Sequence, residues 1–383
     1  GVLIMSPNGQ RLSGFATPEG TARFAKRAID AGQVDTGHFR QSYTGLTLSS
    51  LGMGTYLGKP GPEDDALMTD ALKASVKSGA VNVVDSAINY RFMCSERAVG
   101  AGLKALIEAG ELQRDEIFVA TKNGFITPDA SLTEQFPVYF KEHYLDKGVC
   151  TPEDIAQGMH CMSKGFLENQ LEQSLSNLGL ETLDLMYLHN ASESQIPEVG
   201  LNRFIQRLEG AFQFLESARK AGKIQYYGMA TWDAFRTPPS EHSGFFSLEA
   251  CVALAEDVGG PNHGFRFVQL PYNMALIEAF TMTHQRLKGQ PVSLLQSAVQ
   301  QGIDIFASVP LMQAQLLTQV PVQFPGLTHP AQNCLQFVRS TPGIMAPLVG
   351  HKQAAHVEQN LGVAKVAPLT AEEFESFFVA GKA

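Results

Sequence analysis

Val81-Asn-Val-Val-Asp-Ser-Ala-Ile-Asn-Tyr90 is an apolar, β-branched run that closes on a carboxylate, Asp85, and then carries a phenol, Tyr90, into the turn before a helical pattern. Two later runs close in the same way. Glu116-Ile-Phe-Val-Ala-Thr-Lys122 ends on an ammonium, and Asp184-Leu-Met-Tyr-Leu-His189 ends on an imidazole. Outward from these three, one unit repeats: a helical stretch, a small or glycine stop, then a short apolar strand. The helical stretches cover 64–77, 95–109, 164–178, 202–221, 248–258, 292–301 and 331–339, with Gly110, Gly179, Gly222 and Gly302 as stops. With a first strand at Leu51 running to Gly54 and Thr55, the count reaches eight strands. An α/β fold of the (β/α)8 TIM-barrel type is therefore predicted. The rival, an open doubly wound sheet, would carry Gly-x-Gly-x-x-Gly after its first strand, and that spacing is absent after Leu51.

Residues 1–42 read as an N-terminal extension, with turn residues at Pro7-Asn-Gly9 and Pro18-Glu-Gly20 around a helix at 21–31, and residues 43–383 as the barrel. The interval from Lys122 to His189 far exceeds its neighbours. The excess, about 125–160, is a long insertion after the third strand that holds Phe136, Tyr139, Phe140, His143 and Tyr144. It must leave the face where barrel active sites form, so it reads either as a substrate lid or as a surface elaboration or dimer contact.

Composition excludes several classes of function. A hydrophobic fraction of 44% and a formal charge of −9 describe an ordinary globular chain without the basic surface a nucleic-acid binder needs. No apolar run approaches a membrane span, and Val2-Leu-Ile-Met5 is too short for a signal-peptide core. Five scattered cysteines, Cys94, Cys150, Cys161, Cys251 and Cys334, fit reduced thiols in a cytoplasmic protein. Cys150, His160 and Cys161 with His143 match no zinc-ligand spacing, and no metal is expected.

If the strands lie parallel in one barrel, Asp85, Tyr90, Lys122 and His189 meet at one mouth. A phenol is a poor acid near neutrality unless a neighbour stabilises its anion. Lys122 supplies that charge, Asp85 holds the lysine protonated, and His189 hydrogen-bonds a carbonyl oxygen from the other side. The set suits a carbonyl that gains a hydride on carbon and a proton on oxygen. Taken singly, each residue has a plain structural role open to it, such as a helix cap for Asp85 or ring packing for Tyr90. Their joint placement carries the chemistry.

Asp85-Ser-Ala-Ile-Asn-Tyr90 with Ser95-Glu96 and Val99-Gly100, then Thr121-Lys122 and Leu188-His189, resembles the aldo-keto reductase family over about residues 46–365. The resemblance implies a barrel that binds NADPH and reduces aldehydes or ketones, with Tyr90 as general acid, Lys122 and Asp85 tuning it and His189 orienting the carbonyl. It implies cofactor contacts from Gly54 and Thr55, from Thr231 and Gln269, from Leu311, and from Gly350, Lys352, Gln353, His356, Gln359 and Asn360, with Tyr56 and Trp232 beside the substrate. The chain departs from the family pattern at Ala230, Met312, Ala314 and His356; the last stands where an arginine is usual and leaves NADH as an alternative to NADPH. The expected partner is a small carbonyl compound, with no nucleic acid or membrane; oligomeric state is not readable. The other reading is a non-catalytic nicotinamide-nucleotide-binding regulatory or redox-sensing subunit.

Overall fold

The computed structural model describes residues 11–240, 244–311 and 322–380. The expected turn at Pro7-Asn-Gly9, the Val2–Met5 run, Met312 and Ala314 lie outside them. Eight parallel strands close into a barrel: β1 (Gly52–Gly54), β2 (Val83–Asp85), β3 (Phe118–Asn123), β4 (Leu183–His189), β5 (Ile224–Ala230), β6 (Phe265–Pro271), β7 (Asp304–Ser308) and β8 (Ile344–Gly350). The helices that follow them are α1 (Pro62–Lys77), α2 (Cys94–Glu108), α3 (Lys164–Leu178), α4 (Leu201–Lys220), α5 (Leu248–Gly259), α6 (Leu294–Gln301), α7 (Pro330–Ser340) and α8 (Ala354–Leu361). Local chemistry sets their ends. Ser293 and Gln296 form a reciprocal capping box at the start of α6, and Gly179 and Gly302 end α3 and α6 in the left-handed conformation.

The strand pleat sorts the side chains into two cores. Val83, Phe118, Ala120, Leu185, Tyr187, Phe267, Phe306 and Leu348 fill the barrel interior. Val84, Val119, Met186, Leu188, Val268, Ile305 and Val349 alternate with them and face the helices. Phe118, Phe267 and Phe306 form the aromatic centre, with ring centroids 5.1–6.2 Å apart. Gly52 lets β1 pack closely on its neighbours: a Cβ there would lie 2.7 Å from Leu348 Cδ2 and force that side chain to shift.

An antiparallel hairpin, Phe39–Gln41 with Thr47–Ser49, inserts Leu46 and Leu48 into the interior core and so plugs one barrel end. The N-terminal helix runs Pro18–Asp30, three residues earlier than the sequence predicts. Thr17 caps it by accepting from Gly20 N at 2.9 Å, and Pro18 takes the first-turn position that needs no N–H. No helix among the described residues is long and apolar enough to cross a membrane.

Several buried histidines are held neutral. Burial, then Arg339, pushes His38 down to about 3; burial, then His356, pushes His351 down to about 4; burial pushes His160 down to about 4. A folded pKa below the unfolded value near 6.5 gives stability that is present above that value and lost as pH falls toward the folded one. These three rings are therefore expected to make stability fall between pH 7 and pH 5, partly offset by Asp304, which burial raises to about 6 and which gains stability as pH falls. Urea midpoints for wild type and His38→Gln across that range check it, and an identical pH dependence in both would contradict a neutral, buried His38.

Candidate active site

Register brings the charged strand ends together. Asp85 pairs with Ala120 across β2 and β3, and Lys122, two residues on, shares its inward face. Lys122 pairs with Tyr187, and His189 again lies two residues on. His189 pairs with Ala230, and Ala230 with Gln269. Because each step is even, Asp85, Lys122, His189 and Gln269 all face inward at the C-terminal rim.

Lys122 Nζ is buried and uses all three of its donor directions. It donates to Asp85 Oδ2 at 2.6 Å, to Tyr90 Oη at 2.8 Å and to the Ser86 carbonyl at 2.9 Å. Gln269 Nε2 donates to the other Asp85 oxygen at 2.9 Å. Since the Tyr90 oxygen accepts from Lys122, its own proton is left for an acceptor in the cavity. Burial alone would discharge the lysine, but Asp85 and then Tyr90 outweigh it and hold Lys122 above its ordinary value. Burial raises Asp85, against the pull of Lys122 and Gln269. On Tyr90 burial is again the largest influence: Lys122 pulls the phenol down, as the sequence reading expects, yet the net direction is upward. The phenol is thus protonated near neutrality.

His189 Nδ1 is buried without a hydrogen-bond partner. Burial, then Lys122 and His160, holds the ring well below its ordinary value, so the imidazole is neutral. Placing its single proton on Nδ1 would strand a buried donor, which favours the Nε2–H tautomer. Its ring meets Tyr90 at 6.1 Å and Phe125 at 4.8 Å between centroids, both edge-on.

The turn after Tyr90 is strained. Arg91, Phe92 and Met93 have φ of 51°, 54° and 76°, each a left-handed conformation that costs a residue with a Cβ about 1 kcal/mol. Arg91 offsets this with part-buried bonds to the Lys59 carbonyl (2.9 Å) and Asp65 Oδ1 (2.5 Å), which tie the turn to the β1–α1 loop carrying Tyr56. Tyr56 in turn packs edge-on against Tyr90 at 5.3 Å.

A cavity of about 660 Å³ opens over these groups. Its lining includes Gly54, Thr55, Tyr56, Asp85, Tyr90, Lys122, His189, Thr231, Trp232, Gln269, Leu311, Gly350, His356, Gln359 and Asn360, all singled out in the sequence. Lys352 and Gln353 are not in the lining: Lys352 Nζ lies 3.0 Å from Asp64 Oδ1, and Gln353 is exposed at the start of α8. The Thr231 hydroxyl donates to the Gln269 carbonyl at 3.3 Å, and Asn360 Nδ2 to His351 Nδ1 at 3.3 Å.

Of the insertion, only Phe125 lines the cavity among the described residues. Phe136, Tyr139, Phe140, His143 and Tyr144 stack on one another, and Tyr144 packs on Phe166 of α3. The surface reading therefore fits these aromatics better than the lid reading. Among the described residues, the ligating atoms that converge belong to Glu134, Glu142 and His143, two of them exposed and the third half-buried, and not to Cys150, His160 or Cys161.

Sequence reasoning missed a chain of contacts behind His189. Arg207 donates to Gln195 Oε1 at 2.7 Å, Gln195 Nε2 to His160 Nδ1 at 2.8 Å, and His160 Nε2 to the His189 carbonyl at 2.9 Å. Gly124 makes room for it: φ is +137°, and a Cβ would fall 2.7 Å from His160 Nε2. His160→Ala is expected to lose about 2 kcal/mol of stability, since it leaves Gln195 Nε2 and the His189 carbonyl without their partner. Urea unfolding checks it; an unchanged midpoint would show that this chain of contacts adds nothing to the fold.

Comparison with known proteins gives a consistent result. A family model described as "Aldo/keto reductase family" matches residues 50–378. An Escherichia coli (strain K12) protein described as an NADH-specific methylglyoxal reductase is 27% identical over 197 residues, half of this chain, and the chain spans about half (51%) of that relative's length. The crystal structure of a Klebsiella pneumoniae aldo/keto reductase with NADP and acetate superposes with a TM-score of 0.58 at 18% identity, over 90% of this chain and 95% of that one. The holo form of a Bacillus halodurans aldo-keto reductase gives 0.56 at 18%, over 89% and 95%. At such identities these two matches speak for the fold.

Proposed function

The chain belongs to the aldo/keto reductase family, and we propose that it is a carbonyl reductase that uses NADPH or NADH to convert an aldehyde or ketone to an alcohol. One observation carries the reading: Lys122 Nζ bridges Asp85 and Tyr90 at 2.6 and 2.8 Å on the cavity floor. The residues present fit a dinucleotide. The cavity runs from Tyr90 and His189 to Gly350 at the end of β8 and to His356, Gln359 and Asn360 of α8, and Gly54 and Gly350 leave backbone open to close approach. Thr55, Gln269 and Thr231 would hold the nicotinamide end, and Leu311, Gly350, His356, Gln359 and Asn360 the adenosine end.

When bound, the reduced nicotinamide supplies the hydride. Tyr90 gives its proton to the carbonyl oxygen, and the phenolate that forms is stabilised by Lys122, whose charge Asp85 maintains. His189, neutral and carrying its proton on Nε2, donates to the same oxygen and fixes its position. Tyr56, Phe125 and Trp232 give the substrate an apolar wall, and the lining holds no unpaired charge for a carboxylate group among the described residues.

The test is loss of dinucleotide absorbance with purified protein and a panel of neutral aldehydes and ketones that includes methylglyoxal. Firm dinucleotide binding with no turnover on any of them would favour the regulatory reading, which the inward-turned donors of Thr231 and Gln269 keep open.

A further inference from the structure

Trp232 stands two residues past the end of β5, and the ladder beside it ends one residue earlier, where Thr231 N donates to the Gln269 carbonyl at 2.8 Å. Its own backbone groups must therefore find partners among side chains. The N–H donates to Glu193 Oε2 at 2.6 Å, and Asp233 N donates to the same oxygen at 3.1 Å. The C=O accepts from Arg236 Nε at 2.7 Å, and the guanidinium of that buried arginine also lies over the indole, 5.8 Å from the ring centre. A carboxylate and a guanidinium thus grip one residue from its two sides, with charge-assisted bonds.

Glu193 comes from a different element. It lies in the first turn of Ala191–Val199, the helix that follows His189, and its other oxygen accepts from Ser192 Oγ at 3.1 Å. The chain returning from β5 presses directly on it: a Cβ on Gly244 would fall 2.5 Å from Glu193 Cα and 2.8 Å from its nitrogen. A helix rooted at the rim that carries His189 therefore decides where the indole stands. Of the aromatic rings that line the cavity among the described residues, Tyr56 and Trp232 are the exposed ones, at 58% and 44%, whereas Lys122 is buried at the floor. A carbonyl seated at Tyr90 reaches the indole only through a group that extends outward from it.

We infer that Glu193 is a positioning residue that fixes Trp232 as the outer wall of the substrate site, and that this wall selects carbonyl compounds carrying a flat apolar group beyond the reacting carbon. The inference rests on the reading of the cavity as a carbonyl-reductase site. It assigns Glu193 no contact with substrate or dinucleotide; the residue acts through Trp232 alone.

The experiment compares propanal with 3-phenylpropanal, which differ by one ring, on wild type, Glu193→Ala, Glu193→Gln, Trp232→Ala and the double alanine variant. Wild type should show the lower KM for 3-phenylpropanal. Glu193→Ala should raise that KM about fivefold, the scale of one aromatic contact, with the effect falling on KM rather than kcat and with a much smaller change for propanal. Glu193→Gln should restore most of the wild-type value, because its amide oxygen can still accept from Trp232 N. In the Trp232→Ala background, Glu193→Ala should add nothing further. A second readout needs no turnover: Trp232 is the single tryptophan, and Glu193→Ala should make its fluorescence more accessible to acrylamide. Equal KM changes for the two aldehydes, additive effects in the double variant, or unaltered acrylamide quenching overturns the inference and leaves the reductase reading intact. Turnover of neither aldehyde nor any other carbonyl by wild type overturns the reductase reading and the substrate preference together, while the quenching result still decides whether Glu193 holds the indole.

Discussion

Tyr90→Phe is expected to lower kcat by about 10²- to 10⁴-fold while leaving dinucleotide affinity within twofold, the loss typical of removing a positioned general acid. The substitution takes away one oxygen and keeps the ring, so the edge-on contacts with Tyr56 and His189 and the Lys122 ammonium 4.4 Å from the ring centre survive. What is lost is the donor to the carbonyl and the acceptor for one Lys122 N–H. The second loss should cost about 1–2 kcal/mol of stability, which denaturation separates from the rate effect. Phenol burial makes the expected pH behaviour specific. Tyr90 sits above its ordinary value, so it remains protonated through the neutral range, and no loss of acid should appear until well into the alkaline range. If Tyr90→Phe turned over as fast as wild type, the proton would have to come from His189 or solvent, and the assignment of Tyr90 would fall.

The barrel was legible because strand and helix periods differ and because each short β-branched run ends on a residue of distinct chemistry. Asp85, Lys122 and His189 could be placed at one mouth because each closes its own strand, and parallel strands in a barrel end at one rim. Features without a period escaped. The helix Ala191–Val199 after His189 and the hairpin Gln285–Leu287 with Gln290–Val292 were not predicted, and Val292, expected to open a helix, closes that hairpin instead. Pro18-Glu-Gly20 looked like turn punctuation because Pro and Gly mark turns and first helical turns alike; only the Thr17 cap distinguishes them.

The adenosine side shows a different limit. A motif locates a backbone position, but the partner that occupies a side chain comes from elsewhere in the chain. Lys352 stood in the right segment, and nothing near it in sequence announced Asp64. The same holds for His160, Gln195 and Arg207, which belong to the insertion and to two different helices and form one hydrogen-bonded line only after folding. Burial is likewise invisible to a local reading. The sequence assigns Lys122 the leading influence on Tyr90, whereas in the folded chain desolvation exceeds it.

Lys122→Met separates the structural from the chemical role of the buried pair. Methionine fills similar space but leaves Asp85 with Gln269 as its remaining side-chain partner, so a carboxylate buried beneath the cavity loses its counter-charge. Breaking such a pair from one side typically costs about 3–5 kcal/mol, and the rate should fall by at least about 10²-fold, since the phenolate also loses its stabilising charge. The pH dependence has a definite sign. Burial already raises Asp85, and loss of Lys122 removes the largest influence holding it down. With the folded pKa above an unfolded value near 3.9, the unfolded chain ionises first as pH rises, so the variant loses stability with rising pH and recovers it on acidification. Urea midpoints for variant and wild type should therefore differ most near pH 7.5 and converge toward pH 5. Adding Asp85→Asn removes the uncompensated charge and should restore much of the stability while activity stays lost. A single variant as stable as wild type at pH 7.5 would mean that Asp85 is protonated in the native protein, and then Lys122 would owe its charge to Tyr90 and the Ser86 carbonyl instead.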